Sequence, residues 1–566
     1  MDLEELKETN IWQMFEAGRN FMRMRNVFSD TDRNYRMYSG NQWEGAKIEG
    51  IEQAQYNFIE TIVNYKVSTI NQNLWQINYS SENFEDKDFR KTAEETCKLL
   101  NKKASKVWEK DQLDYKIRNL SEDGCVNDEG VWYVNYDLET QSPLNEILNK
   151  NDIQYGNENS DDIQSQPFIL ISQRKSVIEI KQMAKNEGIS EEKIKHIAGD
   201  NDTFEEAGES AKYERDNKCT LVTKLWKENG KVFYQKATRF VELTDEIDSG
   251  LTYYPVAHFP WKEKKGSARG EGEVRYLIPN QLELNKTLAR MLLSVKQNAY
   301  PTKVVKIDEI INPSAINTVG ATIKFKGKSI EDVRKLFTTI QPAQMSTDVS
   351  KTINDLISIT RELKNSSDIA TGSINPTEAS GKAILAVQQA SQQPMTKQLT
   401  NLKMCIEEIA RIWLDMWVTY TSDSLKLEQE ITDELGNTTT QIVDIPKSVL
   451  ENLRAEVKVD ITPKSPFDKY ARELSLENLF KGGFFNAQKL GELKVYASIL
   501  PDDSTMPKQD ILKAIEIEEE EQRKIAQINS QAQTLKMRAS QFLNTDVEGQ
   551  AGQIEEAMAQ TEVPTE

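Results

Sequence analysis

From Leu277 the apolar residues Leu277, Leu284, Leu288, Met291, Val295 and Ala299 return at helical spacing. They make one stripe on a helix of about 24 residues, roughly 36 Å long at 1.5 Å per residue, which ends at Tyr300-Pro301. A second helix is predicted over 347–364, with Ile353, Ile357 and Thr360 on one face. A third stretch, Ala379 to Tyr420, is longer still and holds Pro394, where a kink or break is expected. Beyond it Leu399, Leu402, Ile406, Ile409, Trp413, Met416 and Tyr420 step by three and four. Inside a large protein such a seam reads as core packing rather than an isolated coiled coil. Three long helical stretches constrain the fold more than any other feature: each needs something to lie against along its length.

The rest of the chain alternates. The first 120 residues read as helices, at Trp12 to Val27, at Asn57 to Asn71, and as one charged helix from Asp86 to Leu120. Val131 to Tyr136 is aromatic and β-branched, a strand by composition. Residues 141–165 are rich in Asn, Asp, Gln and Ser, which predicts a long loop or mobile insertion. Phe168 to Ile171 is a short strand. Leu221 to Trp226 and Lys231 to Tyr234 flank Asn229-Gly230, the tight-turn pair of a hairpin. Between the first two long helices a small mixed unit is expected, with strands at Lys303 to Ile307 and Ala321 to Phe325 and a short helix at Ile330 to Phe337. Ile442 to Ile461 returns to strand, and Pro466 onward is helical to about Leu543. The fold class is therefore α+β, mainly helical.

Charge and rare residues narrow the chemistry. The 566 residues hold 71 Lys+Arg against 90 Asp+Glu, a net of −19, so the chain is not a general coat for nucleic acid, which needs Lys and Arg to displace counterions. The stretch Lys262 to Lys306 runs against this trend, with 10 bases and 4 acids. It is either a face toward a partner or DNA or a solvated helix face. Residues 501–566 carry 14 acids and 6 bases, a net of −8. The two histidines, His196 and His258, are far apart, and His258 lies in an apolar strand-like run. No triad or His-rich metal site is encoded. Cys97, Cys125, Cys219 and Cys405 have no CxxC spacing, which fits a reducing compartment. Gly327-Lys328-Ser329 and Gly381-Lys382 each lack the upstream glycine of a phosphate loop, so no ATPase is read from them. Gly266 to Gly272 reads as a flexible strand-to-helix joint. With an acidic start, no leader-like segment and no apolar run near the ~18 residues a bilayer needs, a soluble protein made inside the cell is expected. No catalytic residue, metal or cofactor is expected.

Several strings resemble one family. Glu378-Ala379-Ser380-Gly381-Lys382-Ala383-Ile384 resembles the start of the long helix after the tunnel loop of tailed-bacteriophage portal proteins. Gly270 to Pro279, with Gln281 and Asn285, resembles that family's approach to its first stem helix, and Tyr300-Pro301 its exit. Tyr38-x-Gly40-x-Gln42-Trp43 and Asn57-x-Ile59-x-x-Ile62-Val63 also look portal-like. One departure is that many relatives carry Asp-Pro where this chain has Gln166-Pro167.

The resemblance implies a ring of about twelve subunits at one capsid vertex of the virion, assembled in the host cytoplasm. It implies a wing over 1–275 and 422–465, stem helices at 276–299 and 347–365, and a clip over 300–346. A channel loop follows at 366–378, a kinked long helix at 379–421, a crown at 466–543 and a disordered tail at 544–566. The implied partners are further copies of the chain, the large terminase, major capsid and scaffolding proteins, the head–tail adaptor, and duplex DNA passing without sequence specificity; no membrane is involved. Ser366, Ser367, Asp368, Thr371, Gly372, Asn375, Pro376 and Glu378 would face the DNA, flanked by Lys364 and Lys382. Lys303, Lys306, Lys324, Lys326 and Lys328 would form the docking rim of the clip. The rival reading is a minor capsid or head-completion protein with no channel.

Overall fold

The computed structural model describes residues 7–43, 53–72, 75–80, 87–200, 218–300, 302–318, 320–326, 337–340, 348–364, 393–421, 424–432, 438–456 and 458–461, with short stretches between 476 and 536. The chain divides into two units, Met1–Pro463 and Lys464–Glu566.

The first unit opens with helices Asn10–Met24 and Val27–Tyr38. Thr9 caps the first by accepting from the Trp12 amide at 3.2 Å. Phe58–Ile70 is capped by Asn57, which accepts from the Glu60 amide. Ile59, Ile62, Val63, Val67 and Ile70 are all buried. The single helix expected from Asp86 to Leu120 is two, Lys87–Lys110 and Leu113–Asn127. Gln112 sits in the left-handed region (φ 51°), and Trp108 Nε1 donates to Asp114 Oδ1 at 3.0 Å across the corner. The turn aims Leu113, Ile117 and Leu120 into the core.

The two largest sheets among the described residues are antiparallel. Glu129–Asp137 is the middle strand of three, between Ser142–Leu148 and Val256–Pro260. The other sheet runs Ile153–Tyr155, Phe168–Ser176, Lys218–Glu228, Lys231–Ala237 and Ile247–Asp248. The Asn229-Gly230 hairpin forms, both residues at positive φ (52° and 78°). The long loop expected at 141–165 is overturned for its first part, which supplies one strand to each sheet. Its polar composition has a structural cause at Asn145, whose Oδ1 accepts from the indoles of Trp132 (3.1 Å) and Trp413 (3.0 Å), while its own amide groups donate to Asp111. The remainder, 157–166, is a loop closed by Gln166, which bonds Asn157 and Ser160.

Pro394 lies in a 3-10 turn, Gln393–Met395, that starts the helix Thr396–Tyr420. The preceding part, 379–392, lies outside the described residues. Leu402, Ile406, Ile409, Trp413 and Met416 of the seam are buried in the main core, as expected of core packing. Cys405, Ala410, Leu414, Trp417 and Val418 are buried too, so the apolar face is wider than a seam. Asp415, on the same helix, accepts from the Thr252 and Tyr253 amides at 2.7 and 3.0 Å.

The return to strand at Ile442 to Ile461 needs correction. A hairpin, Ser424–Thr432 with Thr438–Pro446, is followed by a helix, Lys447–Glu456, and then by Lys458–Ile461. That last strand pairs with Ile77–Ser80, joining the far end of the unit to its beginning. In the second unit the longest described element is the helix Leu490–Ile499, and the other described stretches are mostly helical; 544–566 lies outside the described residues.

Candidate functional site

The first long helix spans Val274–Ala299, and its two halves differ. Val274, Leu277, Ile278, Gln281, Leu284, Asn285 and Ala289 are buried. Beyond Arg290 none is, and Leu292 and Val295 are 37% and 56% exposed. The helix is rooted at its start and uncovered at its end. Its companion, Asp348–Leu363, runs antiparallel to it. Asn280 Nδ2 donates to Thr360 Oγ1 at 3.1 Å, and Ile353 and Thr360 are buried on the shared face.

At the free ends of the pair Thr302–Val305 and Phe337–Ile340 form a two-stranded antiparallel sheet. This corrects the expected mixed unit. Ala321 to Phe325 is not a strand and makes a single bridge, Ile310 to Phe325, and Phe337 begins a strand instead of ending a helix. Residues 327–336, with Lys328, lie outside the described residues. Lys303 Nζ donates to the Ile316 carbonyl at 2.6 Å, Lys306 lies 3.9 Å from Glu309, and the chain at Lys324 and Lys326 is tied through backbone amides to Asn312 and Glu309. Val304, Ile307, Ile311, Ile323 and Ile340 are each at least 40% exposed in this block.

The rooted end is a polar knot. Gln42 donates to Asn57 Oδ1 (3.0 Å) and accepts from Asn285 (2.6 Å). Gln281 donates to Asn285 Oδ1 (2.9 Å) and the Tyr56 carbonyl (2.8 Å), and accepts from the Phe58 amide. Four residues from three separate portal-like strings thus meet in one buried hydrogen-bonded chain, which pins the long helix to the N-terminal helices. Buried side-chain amides of this kind must be saturated, and their geometry then fixes a unique placement.

Beneath it lies a charged layer. Arg269 bonds Glu129 at 2.7 Å, Glu158, and the carbonyls of Lys150 and Ile153. Glu129, wholly buried, also takes His258 Nε2 at 3.1 Å and the Gly270 amide. Burial alone would raise the Glu129 carboxyl; Arg269, then His258 and Lys150, outweigh it and hold the group far below the carboxylate range. His258 is therefore buried as expected, but against a carboxylate. Gly272 donates to Asp128 Oδ1 at 2.7 Å, and a side chain there would lie 2.8 Å from the Cys125 carbonyl. The segment from Arg269 on is thus a held joint: Gly270 and Gly272 permit close approach and Arg269 locks it, while Gly266 supplies a positive φ in open space.

Glu273, the residue before the long helix, is 2% exposed and meets Lys66 (3.1 Å), Lys262 (2.7 Å) and Lys364 (2.8 Å). Burial opposes its charge, yet Lys66 and Lys364 keep the carboxyl well below its usual range. Lys364 is therefore ion-paired at the base of the helix pair. Residues 365–392, which hold Ser366, Ser367, Asp368, Thr371, Gly372, Asn375, Pro376, Glu378 and Lys382, lie outside the described residues.

No group of three or more His, Cys, Asp or Glu suited to a metal occurs among the described residues, and no helix among them is long and apolar enough to cross a membrane. The four cysteines are buried free thiols. A cavity of about 610 Å³ borders the charged layer between the 161–164 turn and the helix Thr396–Tyr420. Burial raises the carboxyl of Glu408 there, and Gln164 donates to it at 2.8 Å. Sequence reading missed this layer because its members are scattered. The one local signal was the excess of bases around Glu273, in a stretch of 10 bases and 4 acids.

A family model described as phage P22-like portal protein matches residues 172–563, more than half of the chain and including the long helix pair. No curated protein matches the chain. The chain belongs to the phage P22-like portal protein family.

Proposed function

We propose that the protein assembles with copies of itself, about twelve, into a ring at one capsid vertex, and that the ring is the channel for packaging and ejecting duplex DNA. The family match over 172–563 carries this reading. The antiparallel pair Val274–Ala299 and Asp348–Leu363 supports it, since one end is anchored in a charged core and the other stands uncovered. A head-to-tail contact that closes on itself yields a ring. The exposed Val304, Ile307, Ile311, Ile323 and Ile340 give the 302–340 block an apolar surface to bury against neighbouring copies. In this reading the helix pair is the stem, 300–346 the clip, 1–275 with 422–465 the wing, and 379–421 the long kinked helix. The segment 366–378 is the channel loop and 466–543 the crown. Terminase and then the head–tail adaptor dock on the clip, and capsid and scaffolding proteins surround the wing at the vertex of the virion.

Mass photometry of the purified protein is expected to give masses many times 64.8 kDa; a stable monomer at micromolar concentration would sink the ring. Reversing Lys324, Lys326 and Lys328 to Glu is expected to weaken terminase capture several-fold at moderate salt while the ring mass is kept. Unchanged capture would take the docking role away from these lysines.

A further inference from the structure

Charge does not balance around Glu273. Lys66, Lys262 and Lys364 share its one carboxylate. Lys262, Lys364 and Arg275 also surround the half-exposed ring of Tyr276, their cationic groups 5.8, 5.1 and 6.0 Å from its centre. The second acid at this corner, Glu271, lies 3.8 Å from Lys264 and accepts from the Tyr276 hydroxyl at 2.7 Å. Asp128, the next carboxylate inward, is taken by Lys150 and the Gly272 amide. Four lysines (Lys66, Lys262, Lys264, Lys364) therefore share two acids (Glu271, Glu273), and Arg275 adds a fifth cation beside Tyr276, in a chain of net charge −19.

We propose that this corner binds a phosphate of duplex DNA through Lys262, Lys364 and Arg275, with Glu273 as the internal counter-ion that holds the lysines when no phosphate is present. The exchange is feasible because the cations differ in depth. Lys66, with its side chain 5% exposed, keeps Glu273 paired, so Lys262 (37%) or Lys364 (19%) can turn outward without leaving a buried carboxylate bare. The corner also lies at the start of a 26-residue helix, whose positive end favours an anion. Tyr276 offers the cations an aromatic face to rest on, which limits the entropy lost when they are ordered. The identity of the anion rests on the portal reading, which brings duplex DNA past the root of the helix pair.

Binding of a short fluorescent duplex to the full-length protein, followed by anisotropy over a range of salt, tests this. Lys262→Gln with Lys364→Gln is expected to weaken duplex binding roughly tenfold and to lower the slope of log affinity against log salt by about one to two. Glu273→Gln, which releases both lysines, is expected to tighten binding several-fold. Inorganic phosphate at matched ionic strength is expected not to displace the duplex. Equal duplex affinity in the wild type and the double variant would overturn the site. Displacement by inorganic phosphate alone would overturn the assignment to DNA. Mass photometry of the same samples separates this from the ring: monomeric wild type contradicts the ring, yet a lysine-dependent duplex affinity would still stand.

Discussion

Arg269→Met is expected to destabilise the first unit by about 3–5 kcal/mol, the cost of stranding a buried charge. The arginine satisfies Glu129 and Glu158 together with two main-chain carbonyls, and Glu129 has no water to turn to. Methionine fills much of the space and supplies none of those bonds. Adding Glu129→Gln should recover a substantial part of the loss, because an uncharged amide is far cheaper to bury than an unpaired carboxylate. Chemical denaturation monitored by tryptophan fluorescence measures both, and equal stabilities for all three proteins would contradict the assignment of Arg269 as the lock.

The same layer sets the acid limit. The Glu129 and Glu273 carboxyls lie below their ordinary value of 4.5 in the folded state. Their contribution is therefore complete above that pH and is lost as pH falls below it, toward their depressed folded values. In Arg269→Met the native Glu129 carboxyl shifts upward, so the acid limb should begin at higher pH than in the wild type.

Asp368→Lys with Ser367→Lys is expected to slow or stall DNA packaging while ring assembly and terminase binding are kept. The segment Ser366 to Glu378 has no Lys or Arg, two acids, and mostly small hydroxyl and amide side chains. A moving duplex would meet weak hydrogen bonds and mild repulsion there, with few deep wells. Thirteen residues exceed the usual helix–helix joint of about 2–8. Two added lysines per copy would become a dense positive ring in an oligomer, and DNA held by many phosphate contacts slides slowly. Lys364, the last described residue before this segment, is balanced by Glu273 and reaches a phosphate only by exchanging that partner, whereas the two added lysines would have no such counter-ion within the segment's sequence beyond Glu378. Wild-type packaging rate and completeness in the double variant would remove the segment from the DNA path.

The long helices and the Asn229-Gly230 hairpin were legible because periodicity and turn chemistry are local properties. What escaped depends on distant partners. Asn145 reads as a loop residue until two indoles 13 and 268 positions away demand an acceptor. The corner at Gln112 carries no Gly or Pro, and the strand partner of Thr302–Val305 lies beyond an intervening bridge and turns. Helix Lys447–Glu456 was hidden by the β-branched runs on either side. The portal-like strings identified Gln42, Asn57, Gln281 and Asn285 one at a time, and only the fold shows that they touch. Lys364 was legible as a helix-end lysine, but its counter-ion sits 91 positions earlier.

Negative-stain microscopy of the purified full-length protein tests the central claim most directly. Closed rings of uniform size with a stain-filled central channel are the expected result. Particles of single-subunit size, or assemblies with no central opening, would contradict it.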